Sequence, residues 1–259
     1  MTENASQNPT NVNRRSFLRI GTEGALAGCA ARFATPVFAN RTSPPNIVFI
    51  ICDQMRGDAL GCLGNPNART PNLDRLASDG VLCENHFSNS PVCVPSRMSL
   101  FAGQYPHRTG RLSNIAWNSP KLSVENTLLG AFQNKGYRIG WVGKNHTYTE
   151  DALGAFDFTS IRAREPFRKY SRFVPPFWHG DTLWPEEECH PRKNTDEAIQ
   201  FIRESKAGEP FFLHVSYFDP HPPYMAPSEY TCRYCSSEMT LPDSVQPSQL
   251  SERLDIYSE

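Results

Sequence analysis

A cysteine followed within one helical turn by a proline and an arginine sets the chemistry this chain offers. Cys93-Val94-Pro95-Ser96-Arg97 leads into Met98-Ser99-Leu100-Phe101-Ala102-Gly103. Pro95 suits a first helical turn, where its missing N–H has no partner to lose and its fixed φ is already helical. Leu100 and Phe101 supply apolar contacts, and Gly103 suits the left-handed residue that closes a helix. Cys93 then stands at the positive end of that helix, where a thiolate or a bound oxyanion is favoured. One turn on, Arg97 offers a planar fork of donors to the same anion. A lone cysteine is more often a small buried hydrophobe. What distinguishes this one must therefore come from elsewhere in the chain.

Polar residues stand at the ends of three apolar runs. Asn46 to Cys52 is continuous, apolar and β-branched, which suits a strand buried on both faces of a parallel sheet, and it ends at Asp53-Gln54. Tyr137 to Val142 reads as a second strand, ending at Gly143-Lys144-Asn145-His146, and Phe211 to Tyr217 as a third, ending near Asp219-Pro220-His221. Helices are expected between them. One starts at Pro71 with Thr70 as cap and Gly80 as terminator. Another opens at Ser123, contains Leu128, Leu129 and Phe132, and closes at Gly136. A third runs from about Asn194 to Ser205 with Ala198, Ile199, Phe201 and Ile202 on its apolar side. The alternation predicts an α/β fold, a largely parallel sheet with helices on both faces. In open sheets of this kind ligands bind beyond the carboxyl ends of the strands, where Asp53, Lys144, His146 and His221 all fall. Each alone is simply a solvated loop residue; their coincidence with Cys93 argues for a site. The aromatic, proline-rich stretch from Ala163 to Lys193 either shapes that site or packs over the sheet edge.

Cys-x-Pro-Ser-Arg with a glycine six residues after the arginine resembles the type I sulfatase motif, and the likeness extends from about Pro45 to Pro247. Thr70-Pro71-Asn72-Leu73-Asp74 resembles another segment of that family, Lys144 and His146 its Gly-Lys-x-His motif, and His221 its Pro-His-x-Pro segment. The resemblance implies an alkaline-phosphatase-like fold and a sulfuric ester hydrolase. It implies that Cys93 is oxidised to formylglycine by a maturation enzyme, and that a divalent metal, calcium or alternatively manganese, is bound through Asp53, Gln54 and the modified Cys93. Arg97 and Lys144 would hold the sulfuryl oxygens. His146 would be the base that releases the covalent sulfate and His221 the donor to the leaving alcohol, or the two roles are exchanged, since imidazole titrates near working pH. The substrate class implied is a sulfated small molecule or glycan. Asp53-Gln54, where many members carry two aspartates, resembles the choline-sulfatase and phosphonate-monoester-hydrolase branch. Asn114 lies where that branch has a substrate-binding asparagine. A phosphonate or phosphate ester hydrolase on the same scaffold is thus the alternative, and a truncated, non-catalytic exported protein a third reading. Family members continue well beyond the position of Glu259. The expectation is an N-terminal part of a sulfatase catalytic domain over residues 40–259, with the C-terminal part and a second pair of metal ligands missing.

Asn13-Arg14-Arg15-Ser16-Phe17-Leu18 and the short apolar stretch to Phe33 resemble a twin-arginine export signal over residues 1–39, with the export machinery as partner. Val37-Phe38-Ala39 suits cleavage, while Leu26-Ala27-Gly28-Cys29 reads alternatively as a lipoprotein box that anchors Cys29. Either places the protein outside the cytoplasm, in the periplasm or cell envelope. Setting aside residues 1–39 leaves 22 basic against 25 acidic residues, a balance with no drive toward nucleic acid. Seven cysteines remain. Cys232-x-x-Cys235 reads as a disulfide or a pair of loop thiols before a redox or zinc motif.

Overall fold

Parallel pairing of the apolar runs organises the molecule, whose computed structural model describes residues 43–114, 121–161, 179–182, 185–222 and 224–240. The arginine pair, Cys29, Ala39 and most of the 163–184 stretch lie outside the described residues. The strands are β1 (Ile47–Cys52), β2 (Arg138–Gly143), β3 (Phe158–Ile161), β4 (His179–Thr182), β5 (Phe211–Tyr217) and β6 (Tyr224–Pro227). The main sheet is parallel throughout, in the order β1-β5-β2-β3, and β4 and β6 form a separate parallel pair. The described helices are α1 (Pro71–Asp79), α2 (Cys93–Ala102), α3 (Pro106–Thr109), α4 (Leu128–Gln133), α5 (Glu150–Gly154), α6 (His190–Glu204) and α7 (Ser228–Thr231).

Alternation along the strands divides the core in two. One layer joins Phe101 of α2 and Leu129 of α4 to Ile139, Trp141 and Phe212. The other joins Ala198 and Phe201 of α6 to Val142, Phe211, Leu213 and Val215. Helices therefore cover both faces, as expected for parallel strands. Gly140 lets α6 approach closely, because a Cβ there would meet Phe201 and Leu213 at 2.8 Å. β1 pairs with a single described strand, and its Val48 and Ile50 are 46% and 55% exposed.

Several boundaries differ from the sequence expectation. α4 starts at Leu128 rather than Ser123, because the Thr127 hydroxyl accepts the Gly130 N–H and makes the cap. α6 starts at His190 rather than Asn194, with Pro191 in its first turn, and its Ile199 and Ile202 are partly exposed rather than buried. Thr70 precedes α1, but its hydroxyl is taken by Asp74 (2.9 Å) and the Gly61 N–H (2.9 Å) instead of capping the helix. Cys232 and Cys235 are free thiols, as are Cys52, Cys62, Cys83, Cys93 and Cys189. No helix among the described residues is long and apolar enough to cross a membrane.

Candidate active site

The register of the sheet brings the three strand ends level. Cys52 stands opposite Tyr217, and Gly143 opposite Ser216. The ladder runs one residue further on both sides: the Asp53 N–H donates to Tyr217 O (3.1 Å) and the Lys144 N–H to Ser216 O (3.1 Å). Asp53 and Lys144 thus emerge side by side, one on each flank of β5. Their side chains form a buried ion pair, Lys144 Nζ on Asp53 Oδ2. Arg97 closes the other side of the carboxylate, its Nη2 3.7 Å from Oδ1, while its Nη1 donates to Ser216 Oγ at 2.8 Å. Burial lowers the Arg97 pKa, and nearby Asp53 and Cys93 pull it back up.

Cys93 opens α2, and Gly103 ends it in the left-handed conformation (φ 62°). Val92, at the cap position, has no side-chain acceptor, and Asn114 supplies one from outside the helix. Its Oδ1 accepts the Val94 N–H (3.1 Å), and its Nδ2 donates to Cys93 Sγ (3.1 Å). Asn114, expected as a substrate-pocket residue, here caps the helix and holds the sulfur. A cleft of about 540 Å³ lies above these groups, lined by Asp53, Gln54, Cys93, Arg97, Asn114 and His221 among others. Gln54 takes a positive φ of 58°, turning the chain sharply after Asp53 toward that cleft.

Lys144 and His146 do not line the cleft. His146 lies within electrostatic reach of Lys144, Arg97 and Asp53, and its Nδ1 is buried without a hydrogen bond to any described residue. Burial first, then the two cations, push its pKa down to about 4. It therefore does not titrate near neutral pH, contrary to the expectation from the free imidazole. His221 sits in the turn after β5, its N–H bonded to Phe218 O (2.9 Å) and its Nδ1 2.7 Å from Pro222 O. A carbonyl only accepts, so Nδ1 carries the proton of that contact. Ser216 was not singled out by the sequence; a small polar residue two places after His214 in an apolar strand was the one available sign.

The donor set does not by itself complete a hard-cation site. It offers one carboxylate, one amide oxygen and position 93, whereas calcium commonly takes six to eight oxygens. Both Asp53 oxygens face cations, and no group of three His, Cys, Asp or Glu residues among the described residues is arranged to hold a metal.

Comparison with known proteins decides the family. The sulfatase family model matches residues 45–257. The chain belongs to the sulfatase family. It is 31% identical to an arylsulfatase of Clostridium perfringens, over 76% of this chain and 48% of that protein. It is 32% identical to an ulvan-active sulfatase of Formosa agariphila, over 86% and 44%, and 29% identical to human iduronate 2-sulfatase, over 93% and 48%. This sulfatase chain thus spans about half the length of the curated relatives it matches. Among solved structures, the phosphonate monoester hydrolase of Agrobacterium radiobacter superposes with a TM-score of 0.66 at 24% identity, covering 82% of this chain and 48% of that one. A protein solved with its substrate D-glucosamine-2-N,6-O-disulfate gives 0.60 at 25% identity, covering 77% and 39%. The sheet with helices on both faces is the alkaline-phosphatase-like fold that these structures share.

Proposed function

We propose that this chain hydrolyses sulfate esters, with Cys93 converted to formylglycine and the hydrate of that aldehyde acting as nucleophile. The observation that carries the reading is the placement of Cys93 at a helix N-terminus, in a cleft it shares with Asp53, Arg97 and His221. One hydroxyl of the hydrate would attack sulfur, its proton passing to solvent, as the sulfur–oxygen bond to the alcohol breaks. Arg97 stabilises the charge that develops on the sulfuryl oxygens, with Lys144 reinforcing the positive field behind Asp53. His221 would give the leaving oxygen a proton carried on Nε2, its Nδ1–H staying on Pro222 O. The second hydroxyl then loses its proton to His146, the carbonyl re-forms, sulfate departs, and water restores the hydrate. The depressed pKa of His146 suits an acceptor rather than a donor and separates the two histidine roles. Asn114, which donates to the sulfur, would donate likewise to the oxygen that replaces it.

Sulfatases use a divalent metal, calcium or manganese in this proposal; Asp53 and Gln54 would contribute to holding it, together with ligands beyond those described. The substrate is a sulfated small molecule or glycan, supported by the relatives' activities on such esters. The maturation enzyme that oxidises Cys93 is the first partner and the twin-arginine machinery the second, with residues 1–39 as export signal and the periplasm or cell envelope as destination. The decisive experiment coproduces the chain with a formylglycine-generating enzyme and verifies the aldehyde at position 93 by peptide mass spectrometry. It then compares turnover of 4-nitrophenyl sulfate, 4-nitrophenyl phosphate and a phenyl phosphonate ester. Sulfate turnover lost in Cys93→Ala is expected. Verified aldehyde with no sulfate turnover, or a preference for either phosphorus ester, would sink the proposal.

A further inference from the structure

We propose that Ser216 is the positioning residue that aims Arg97, anchoring one nitrogen of the guanidinium so that the fork is held in the cleft wall beside Asp53 and Cys93. The proposal rests on the sulfate-ester reading above. Arg97 is almost wholly buried, and a buried guanidinium works as a preorganised donor only if its fork is fixed. Nη1 is committed to Ser216 Oγ at 2.8 Å. Nη2 makes no hydrogen bond among the described residues and stands 3.7 Å from Asp53 Oδ1. The fork is split between an anchor in the sheet and a second nitrogen buried beside Asp53, in a side chain that lines the cleft within electrostatic reach of Cys93.

Ser216 is itself immobilised. It belongs to β5, paired with β1 on one flank and β2 on the other, and has no exposure to solvent. Its carbonyl accepts the Lys144 N–H at 3.1 Å and lies 3.4 Å from Asn194 Nδ2 on α6. β2 passes so close here that a Cβ at Gly143 would fall 2.1 Å from that carbonyl oxygen. One residue therefore fixes both the direction of Arg97 and the start of the segment bearing Lys144, the two cations that flank Asp53. A hydroxyl is the suitable group for this task. It accepts from the guanidinium without charge, whereas a carboxylate in its place would take both nitrogens and cancel the charge needed at sulfur.

The test uses Ser216→Ala, Ser216→Thr, Arg97→Lys and the Ser216→Ala/Arg97→Lys double variant in the full chain bearing formylglycine. Hydrolysis of 4-nitrophenyl sulfate is resolved into kcat and KM per formylglycine, and binding of inorganic sulfate is measured by calorimetry. Loss of one preorganised donor costs about 10²–10³ in kcat. Loss of its aim should cost less, about ten- to fiftyfold in kcat, with sulfate bound about three- to tenfold more weakly. Ser216→Thr keeps the hydroxyl and should recover most of kcat. In the Arg97→Lys background, Ser216→Ala should add less than about a twofold loss, because the fork it aims is gone. Equal losses in both backgrounds, or a lower melting temperature with kcat per folded site unchanged, would overturn the proposal. Wild-type protein that acts on the ester or binds sulfate, with Ser216→Ala matching it, rejects Ser216 alone. Wild-type protein that does neither removes the sulfate-ester reading and Ser216 together.

Discussion

Removing the Asp53 charge should destabilise the fold more than removing the Lys144 charge, and removing both should recover part of the loss. Asp53 is buried between two buried cations. At an effective dielectric constant of ~20, a unit charge pair at contact, ~3 Å, attracts by ~5 kcal/mol, and one at the Arg97 distance by ~4 kcal/mol. Desolvation of all three groups offsets much of this, which is why deleting one member of a buried pair costs about 3–5 kcal/mol. Asp53→Asn strands two cations and belongs in that range. Lys144→Met leaves Asp53 beside Arg97, so about 1–2 kcal/mol is expected. The double variant should lie near Lys144→Met, giving a coupling of about 3–5 kcal/mol. For a domain of this size, 1 kcal/mol moves the melting temperature by about 2–4 °C. Asp53→Asn should then melt about 6–20 °C below wild type, and the double variant should regain at least half of that. The assay is thermal unfolding in chelator at pH 7, with denaturant titration for the free energies. Additive losses, with coupling below about 0.5 kcal/mol, would show that Lys144 and Asp53 do not pair in the folded protein.

Burial and then Arg97 hold the His214 pKa down at about 3, while its Nδ1–H bonds Phe49 O at 3.1 Å. The folded state keeps this histidine neutral while the unfolded chain protonates it below about pH 6.5, so stability is constant above that pH and falls toward pH 3. Between pH 6 and 4, the fall for wild type should exceed that of His214→Phe by about 1.4 kcal/mol per pH unit, one proton's worth; equal slopes in pH-dependent denaturant titrations would refute this. Replacing Arg14 and Arg15 with Lys should strand the precursor in the cytoplasm, as read by cell fractionation. Unchanged export would point to the general secretory route.

The sequence announced β5 because seven consecutive apolar or aromatic-flanked residues between Pro210 and Phe218 admit few other structures. It announced α2 because Pro95 and Gly103 mark both ends. The start of α6 was misplaced because Pro191, a first-turn signal, follows a run of glutamates that reads as loop. What remained hidden depends on strand order. Lys144 meets Asp53 because β5 lies between β1 and β2, and chain order alone does not say which strand takes the middle position. The role of Asn114 was hidden for a similar reason, since it reaches Cys93 from 21 residues further along the chain. The low pKa of His146 follows from burial and two neighbouring cations, neither of which a spacing pattern contains.

Position 93 is located by the packing of the helix that carries it. Cys93, Arg97 and Phe101 are spaced by four, so they share one face of α2. Arg97 reaches Ser216 on β5. Phe101 packs against Trp141 (5.1 Å between centroids), His214 (5.2 Å), Tyr148 (5.8 Å) and Phe49 (6.2 Å). The aromatic anchor at one end of the helix thereby sets the height of the nucleophile at the other. Phe201 of α6 is equally buried, but it lies in the layer on the opposite face of the sheet, among Leu213, Val215 and Phe211. Phe101→Ala and Phe201→Ala should each cost about 3–5 kcal/mol, since both empty a large buried site. Their effects on turnover should part. Measured per folded, formylglycine-bearing molecule well below the melting transition, Phe201→Ala should keep kcat within about twofold. Phe101→Ala should lose about tenfold or more, because a shift near 1 Å at the reacting atom costs up to about 10²-fold. If the two variants lose kcat equally at matched folded fraction, the anchoring of Cys93 through Phe101 is wrong, and the loop that carries Asn114 must hold the nucleophile instead.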